Sequence, residues 1–151
     1  MAEHKAQELT ATPRTATQWT LLGFGLWFTV GNFVSGTVIW PGTVTDSHRV
    51  YQMDLFGFIP VVVNGWHLLF HLVTGIACLL LARRSTGAVL GSLGVAGSYL
   101  LVGGLGLAVS GSVLGVIATD TFGDWVHLFE GSGVALGAIA PLLARRRTAA
   151  S

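Results

Sequence analysis

The chain has 151 residues, 52% of them hydrophobic and only 10% charged. Ordinary soluble domains carry roughly a quarter charged residues, so this composition excludes that class and points to a protein of the lipid bilayer. The net charge of +1, with no basic stripe interleaved with aromatics, excludes a nucleic-acid-binding role, and the lone cysteine, Cys78, excludes an intramolecular disulfide and reads as a small packing residue.

No Asp, Glu, Lys or Arg occurs in 15–45, 55–82 or 85–119, and about 20 apolar residues suffice to span a bilayer as a helix. A polar tail at 1–18 leads into a first span at 19–40, bracketed by Trp19 and Trp40 as an aromatic belt would be. This run is too long for a signal-peptide core and ends in "IWPG" rather than a small-x-small pattern, so we keep it as a span. Trp27, inside it, is expected to pack or to face lipid.

The stretch "DLFGFIP" reads as an interfacial segment before a second span at 61–82, with Pro60 suited to a helix start. A short "RRST" turn makes the third span, 87–109, its antiparallel neighbour. The apolar segment 110–123 either extends the third span, tilts it, or folds back over the outer face. A fourth span follows at 125–144, then a basic tail at 145–151. Together these predict an all-α, four-helix transmembrane bundle.

Seven of the eight Lys and Arg residues fall on one side: Lys5, Arg14, Arg83, Arg84 and Arg145 to Arg147, with Arg49 opposite. The positive-inside rule then puts both termini in the cytoplasm. Glycines recur at helix-packing intervals, at Gly87 and Gly91, Gly94 and Gly97, Gly111 and Gly115, and Gly133 and Gly137. Such small-residue faces either pack the bundle internally or contact another copy or another membrane protein.

The polar residues in these apolar runs form two stripes. Asn64, His67 and His71 stand at i, i+3 and i+7, while Asp124, His127 and Glu130 stand at i, i+3 and i+6. "NGWHL" at 64 echoes "DWVHL" at 124, and both spans run outside to inside, so His67 and His127 are expected at one depth. Asn32 lies about 12 Å below Trp40 by helical rise and joins the same level. Intramembrane ionisable groups are costly and usually face the interior, which predicts a polar pocket and a Glu130 pair with His71 or His127. Asn64 and Asp124 equally suit N-cap positions. Ser98 and Tyr99 offer the only continuation toward the cytoplasmic half, and they also read as hydrogen-bonded packing residues.

Three chemistries fit the pocket. His67, His71 and His127 with Glu130 or Asp124 supply nitrogen and oxygen ligands for a metal, although the zincin Glu is replaced by Leu68. A haem between the second and fourth spans is a second option, and a proton or solute path a third. No nucleophile elbow, phosphate loop or CxxC pattern is present, so we expect a non-enzymatic binding or scaffolding protein.

The stretches "VVVNGWHLLFHLVTG" and "GDWVHLFEGSGVALG" resemble the small four-span bacterial membrane proteins grouped as domain of unknown function 4383, over about residues 19–144. Asn64 and His67 match the family's Asn-x-x-His-Leu opening of the second span. Asp124, Trp125 and His127 match the Asn- or Asp-Trp-x-His-Leu opening of the last. His71 stands where members often have glycine, so no family role passes to it. The resemblance implies a bacterial inner membrane location and carries no activity.

Overall fold

The computed structural model describes residues 13–55, 58–84, 87–109 and 111–149. Among them the chain forms four long helices, α1 (Ala16–Ile39), α2 (Gly65–Leu81), α3 (Ala88–Ala108) and α4 (Thr121–Ala149). Two antiparallel hairpins lie between them, β1 (Tyr51–Leu55) with β2 (Ile59–Val63) and β3 (Ser112–Val113) with β4 (Ile117–Ala118). The architecture is therefore mostly helical rather than all-α.

Helix α1 begins in a capping box, in which the Gln18 amide donates to Thr15 Oγ1 at 3.3 Å and the Thr15 amide to Gln18 Oε1 at 2.9 Å. From Trp27 to Val34 it widens to π winding. Side chains follow that register, since Asn32 Nδ2 donates to the Trp27 carbonyl and Ser35 Oγ to that of Val30, each five residues back. Stretches of this kind re-aim side chains and recur at functional sites.

The second helix begins later than the expected span start at 61. Residues 61–63 belong to strand β2, with Pro60 opposite Asp54, and α2 starts only after Asn64. The β-branched run Ile59, Val61, Val62 and Val63 favours extended backbone, and an apolar run this short does not distinguish strand from helix by periodicity. An unpaired strand edge tolerates Pro60. The segment 54–60 expected at the interface lies in a hairpin, with 56–57 outside the described residues.

Segment 111–118 folds back. Leu114 and Gly115 take positive φ of 54° and 70°, and the Val116 amide closes the turn on the Val113 carbonyl at 3.0 Å. These are the dihedrals of a two-residue hairpin turn. Helix α4 then starts at Thr121, four residues before the expected 125, and continues to Ala149 through the basic tail. Its cap is Asp120, whose Oδ1 accepts from the Gly123 amide at 2.8 Å.

Helix α1 packs on α2 and α4, while α3 packs on α4 and α2, so α2 and α4 face each other across the bundle. Glycines set the close approaches. Gly103 of α3 lies against the Asp124 carbonyl and Gly131 of α4 against the Ala96 carbonyl, while Gly133 and Gly137 admit Phe24 and Thr20 of α1. Of the expected glycine pairs, Gly133 and Gly137 pack as a pair, Gly91 meets Leu81, and Gly94 and Gly97 have nothing within 4 Å. Gly111 and Gly115 lie outside the helices, both with positive φ. Leu21, Phe28, Cys78, Tyr99 and Val134 are fully buried, with Phe28 stacked on Tyr99 at 4.4 Å between centroids.

Helices α1 and α3 and the stretch Thr121–Ala144 of α4 are long and apolar enough to cross a bilayer, whereas α2 is apolar but has 17 residues.

Candidate functional site

The gap between α2 and α4 is filled by imidazoles. His67 and His71 project from successive turns of α2, and His127 meets them from α4. Ring centroids are 5.0 Å apart for His67 with His71 and with His127, and 5.5 Å for His71 with His127. The matched depth expected from the echo places His67 beside His127. All three are buried, and one ligand-capable nitrogen from each lies within 4.8 Å of the others.

Hydrogen bonds orient two of the rings. His67 Nδ1 is 2.7 Å from the Ala118 carbonyl, which can only accept, so Nδ1 carries the proton. In the neutral ring Nε2 is then a lone pair, and it stands 3.1 Å from His71 Nε2. His71 Nδ1 is 2.8 Å from the Tyr99 hydroxyl, which is 3.0 Å from Thr74 Oγ1. His127 Nδ1 is buried with no hydrogen-bond partner.

Beside the histidines opens a cavity of about 350 Å³, lined among others by Trp27, Asn32, Leu68, Phe122, Val126 and Glu130. The expected Glu130–histidine pair does not form. Instead the Trp27 indole donates to Glu130 Oε1 at 2.6 Å, and Oε2 is buried without a hydrogen-bond partner among the described residues. Trp27 is half exposed, at 51%, and lines the cavity, so its ring packs there while its N–H makes a polar contact.

Asn64 and Asp124 lie outside the cavity lining. Asn64 is the N-cap of α2: Oδ1 accepts from the His67 amide at 2.9 Å and the Ala118 amide at 3.3 Å, and Nδ2 donates to the Val116 carbonyl at 2.7 Å. Asp124 does not cap α4, because that place belongs to Asp120. Its carboxylate turns toward α3 at Gly106 and accepts from Thr119 Oγ1 at 2.6 Å. Both residues are structural joints between the hairpins and the helices. Asp120 adds another, accepting from the Val62 amide at 2.6 Å.

Sequence reasoning missed Trp27 as a partner of Glu130, Thr74 as a partner of Tyr99, and the Ala118 carbonyl. Thr74 was within reach, since it continues the stripe one turn beyond His71. The Ala118 carbonyl had no sequence signal, because any residue supplies one. A haem between α2 and α4 does not fit, since His71 Nε2 stands 3.1 Å from His67 Nε2, in the space the macrocycle would occupy.

No curated protein and no solved structure matches the chain. The model of one family, described as a domain of unknown function, matches residues 18–140, the stretch that contains every cavity-lining residue and both hairpins. The chain belongs to this family, DUF4383.

Proposed function

We propose that the chain is a four-span protein of the bacterial inner membrane with both termini in the cytoplasm, and that its cavity binds a small ligand over a floor of His67, His71, His127 and Glu130. Arg83 and Arg84 follow α2 and Arg145 to Arg147 lie at the end of α4, so the positive-inside rule puts the hairpins and the cavity at the outer side. The 17 residues of α2 span about 25 Å by helical rise. That is about 5 Å short of a typical hydrocarbon core, a mismatch that local thinning of the bilayer accommodates.

The observation that carries the binding reading is the pair of buried polar atoms, His127 Nδ1 and Glu130 Oε2, that no described protein group satisfies, beside an open cavity. An orphaned buried polar atom costs about 1–3 kcal/mol, which a polar ligand or ordered water in the cavity offsets, whereas Asn64 and Asp124 are satisfied by the protein itself. Binding is favoured over flux because, among the described residues, no buried Asp, Glu or His lies beyond Thr74 and Tyr99: Leu21, Cys78, Val134 and Ala138 close the core there, and the polar groups further on are Ser92, Gln18 and Thr17.

Native mass spectrometry of protein released from its own membranes in mild detergent tests this. The wild type is expected to carry a bound mass that is lost in Val126→Trp, which fills the cavity from α4. A bare chain mass in the wild type contradicts the reading.

A further inference from the structure

We propose that His67, His71 and His127 form a three-imidazole site for one transition-metal ion of the copper and zinc class, with a further coordination position open to the cavity. This rests on the cavity reading and names the chemistry of its floor. Two ligands each about 2.0–2.1 Å from a tetrahedral ion are about 3.4 Å apart, and His67 Nε2 and His71 Nε2 stand at 3.1 Å. The i and i+4 positions on α2 bring those two together, and α4 supplies the third within the same radius.

The surrounding hydrogen bonds are those of ligating histidines. A metal-bound imidazole usually donates its other ring N–H to a carbonyl or another acceptor, which fixes the tautomer. His67 Nδ1 does so to Ala118, and the Tyr99 hydroxyl, backed by Thr74, stands at His71 Nδ1 to accept in the same way. In one tautomer of His71, Nε2–H donates to His67 Nε2 and Tyr99 donates to Nδ1; in the other, with Tyr99 accepting and both Nδ1 protons pointing outward, two lone pairs face each other across 3.1 Å. A shared cation between them removes that repulsion and gives the third imidazole a partner as well.

The donor set narrows the ion. Calcium and magnesium take oxygen ligands, whereas imidazoles suit zinc, copper, iron and nickel, with copper(II) and zinc binding strongly. Cys78 is buried elsewhere on α2 and is not one of the clustered groups, so no thiolate competes. Glu130, one turn beyond His127, adds a carboxylate at the cavity wall that offsets the charge of the ion.

The test loads purified, chelator-stripped protein with Zn²⁺, counted by elemental analysis, and with Co²⁺ as a spectroscopic probe. The wild type is expected to hold about one ion per chain and to show the visible bands of cobalt with nitrogen ligands. His127→Gln should abolish both. Tyr99→Phe keeps the ring but removes the hydroxyl behind His71, and should weaken affinity about 10- to 100-fold while saturating at the same stoichiometry. Should His127→Gln fail to elute as a native particle, the Tyr99→Phe shift decides by itself. Uptake below about a tenth of an ion, or uptake indifferent to both substitutions, overturns the proposal. A bound organic mass without metal overturns the metal site alone and leaves the cavity reading standing.

Discussion

Gly103→Val destabilises the protein by about 3 kcal/mol, at the upper end of what overpacking a close-packed seam costs. A Cβ at Gly103 meets the Asp124 carbonyl at 2.6 Å and the Leu128 amide nitrogen at 3.0 Å, and backbone cannot rotate away as a side chain can. Relief requires α3 and α4 to separate. That movement displaces His127 and Glu130, which ride on α4 immediately beyond the contact, so ligand retention should fall together with stability. Gly104 next to it has nothing within 4 Å. Gly104→Ala should therefore be neutral or stabilising by up to about 1 kcal/mol, the usual glycine penalty within a helix. Thermal unfolding of the two variants in detergent checks the opposite signs.

Asn64→Ala costs about 3 kcal/mol through a different route. The N-cap alone contributes about 1 kcal/mol. The same side chain also serves the Ala118 amide and the Val116 carbonyl, and leaving a buried backbone group without its partner costs about 1–3 kcal/mol. Losing the tie between α2 and β4 also frees the Ala118 carbonyl that orients His67. Asn64→Ser keeps the cap acceptor and loses the reach to Val116 and Ala118, so its loss should be smaller than that of Asn64→Ala by about the 1 kcal/mol of the cap. A denaturation series on the three proteins gives the ranking.

How much of this was legible in the sequence depends on whether a feature is carried by periodicity. Long charge-free runs expose α1, α2 and α3, and the i, i+3, i+7 spacing puts His67 and His71 on one face of α2. The five-residue echo between 64 and 124 places His67 next to His127, although the two helices do not start in register. Asn64 precedes α2, whereas Asp124 sits in the first turn of α4 behind Asp120. The hairpins escaped because Ile59 to Val63 is a short apolar run that a helix and a strand both accept, and because the Leu114–Gly115 turn relies on a non-glycine residue at positive φ.

The partner of Glu130 was hidden for another reason. Thr20, Phe24 and Trp27 share one face of α1 at i, i+4 and i+7 and meet Gly137, Gly133 and Glu130 of α4, but which face of α1 turns to α4 is a tertiary choice that no residue in α1 announces. The glycine intervals misled in a related way. Spacing alone treats Gly94 with Gly97 and Gly133 with Gly137 alike, yet only the latter pair has a helix against it. Gly103, Gly106 and Gly131, outside those pairs, carry the closest approach of α3 to α4.

The central claim is that the floor of the cavity is built for a ligand and not for the fold. The most direct measurement is the thermal stability of chelator-treated His127→Leu beside Asn64→Ala. His127 Nδ1 makes no hydrogen bond, and replacing an unpaired buried polar group by a well-packed apolar one is neutral or stabilising. An unchanged or raised melting temperature is expected for His127→Leu, against a clear loss for Asn64→Ala. A loss in His127→Leu as large as that in Asn64→Ala would contradict it and make the histidine cluster part of the scaffold.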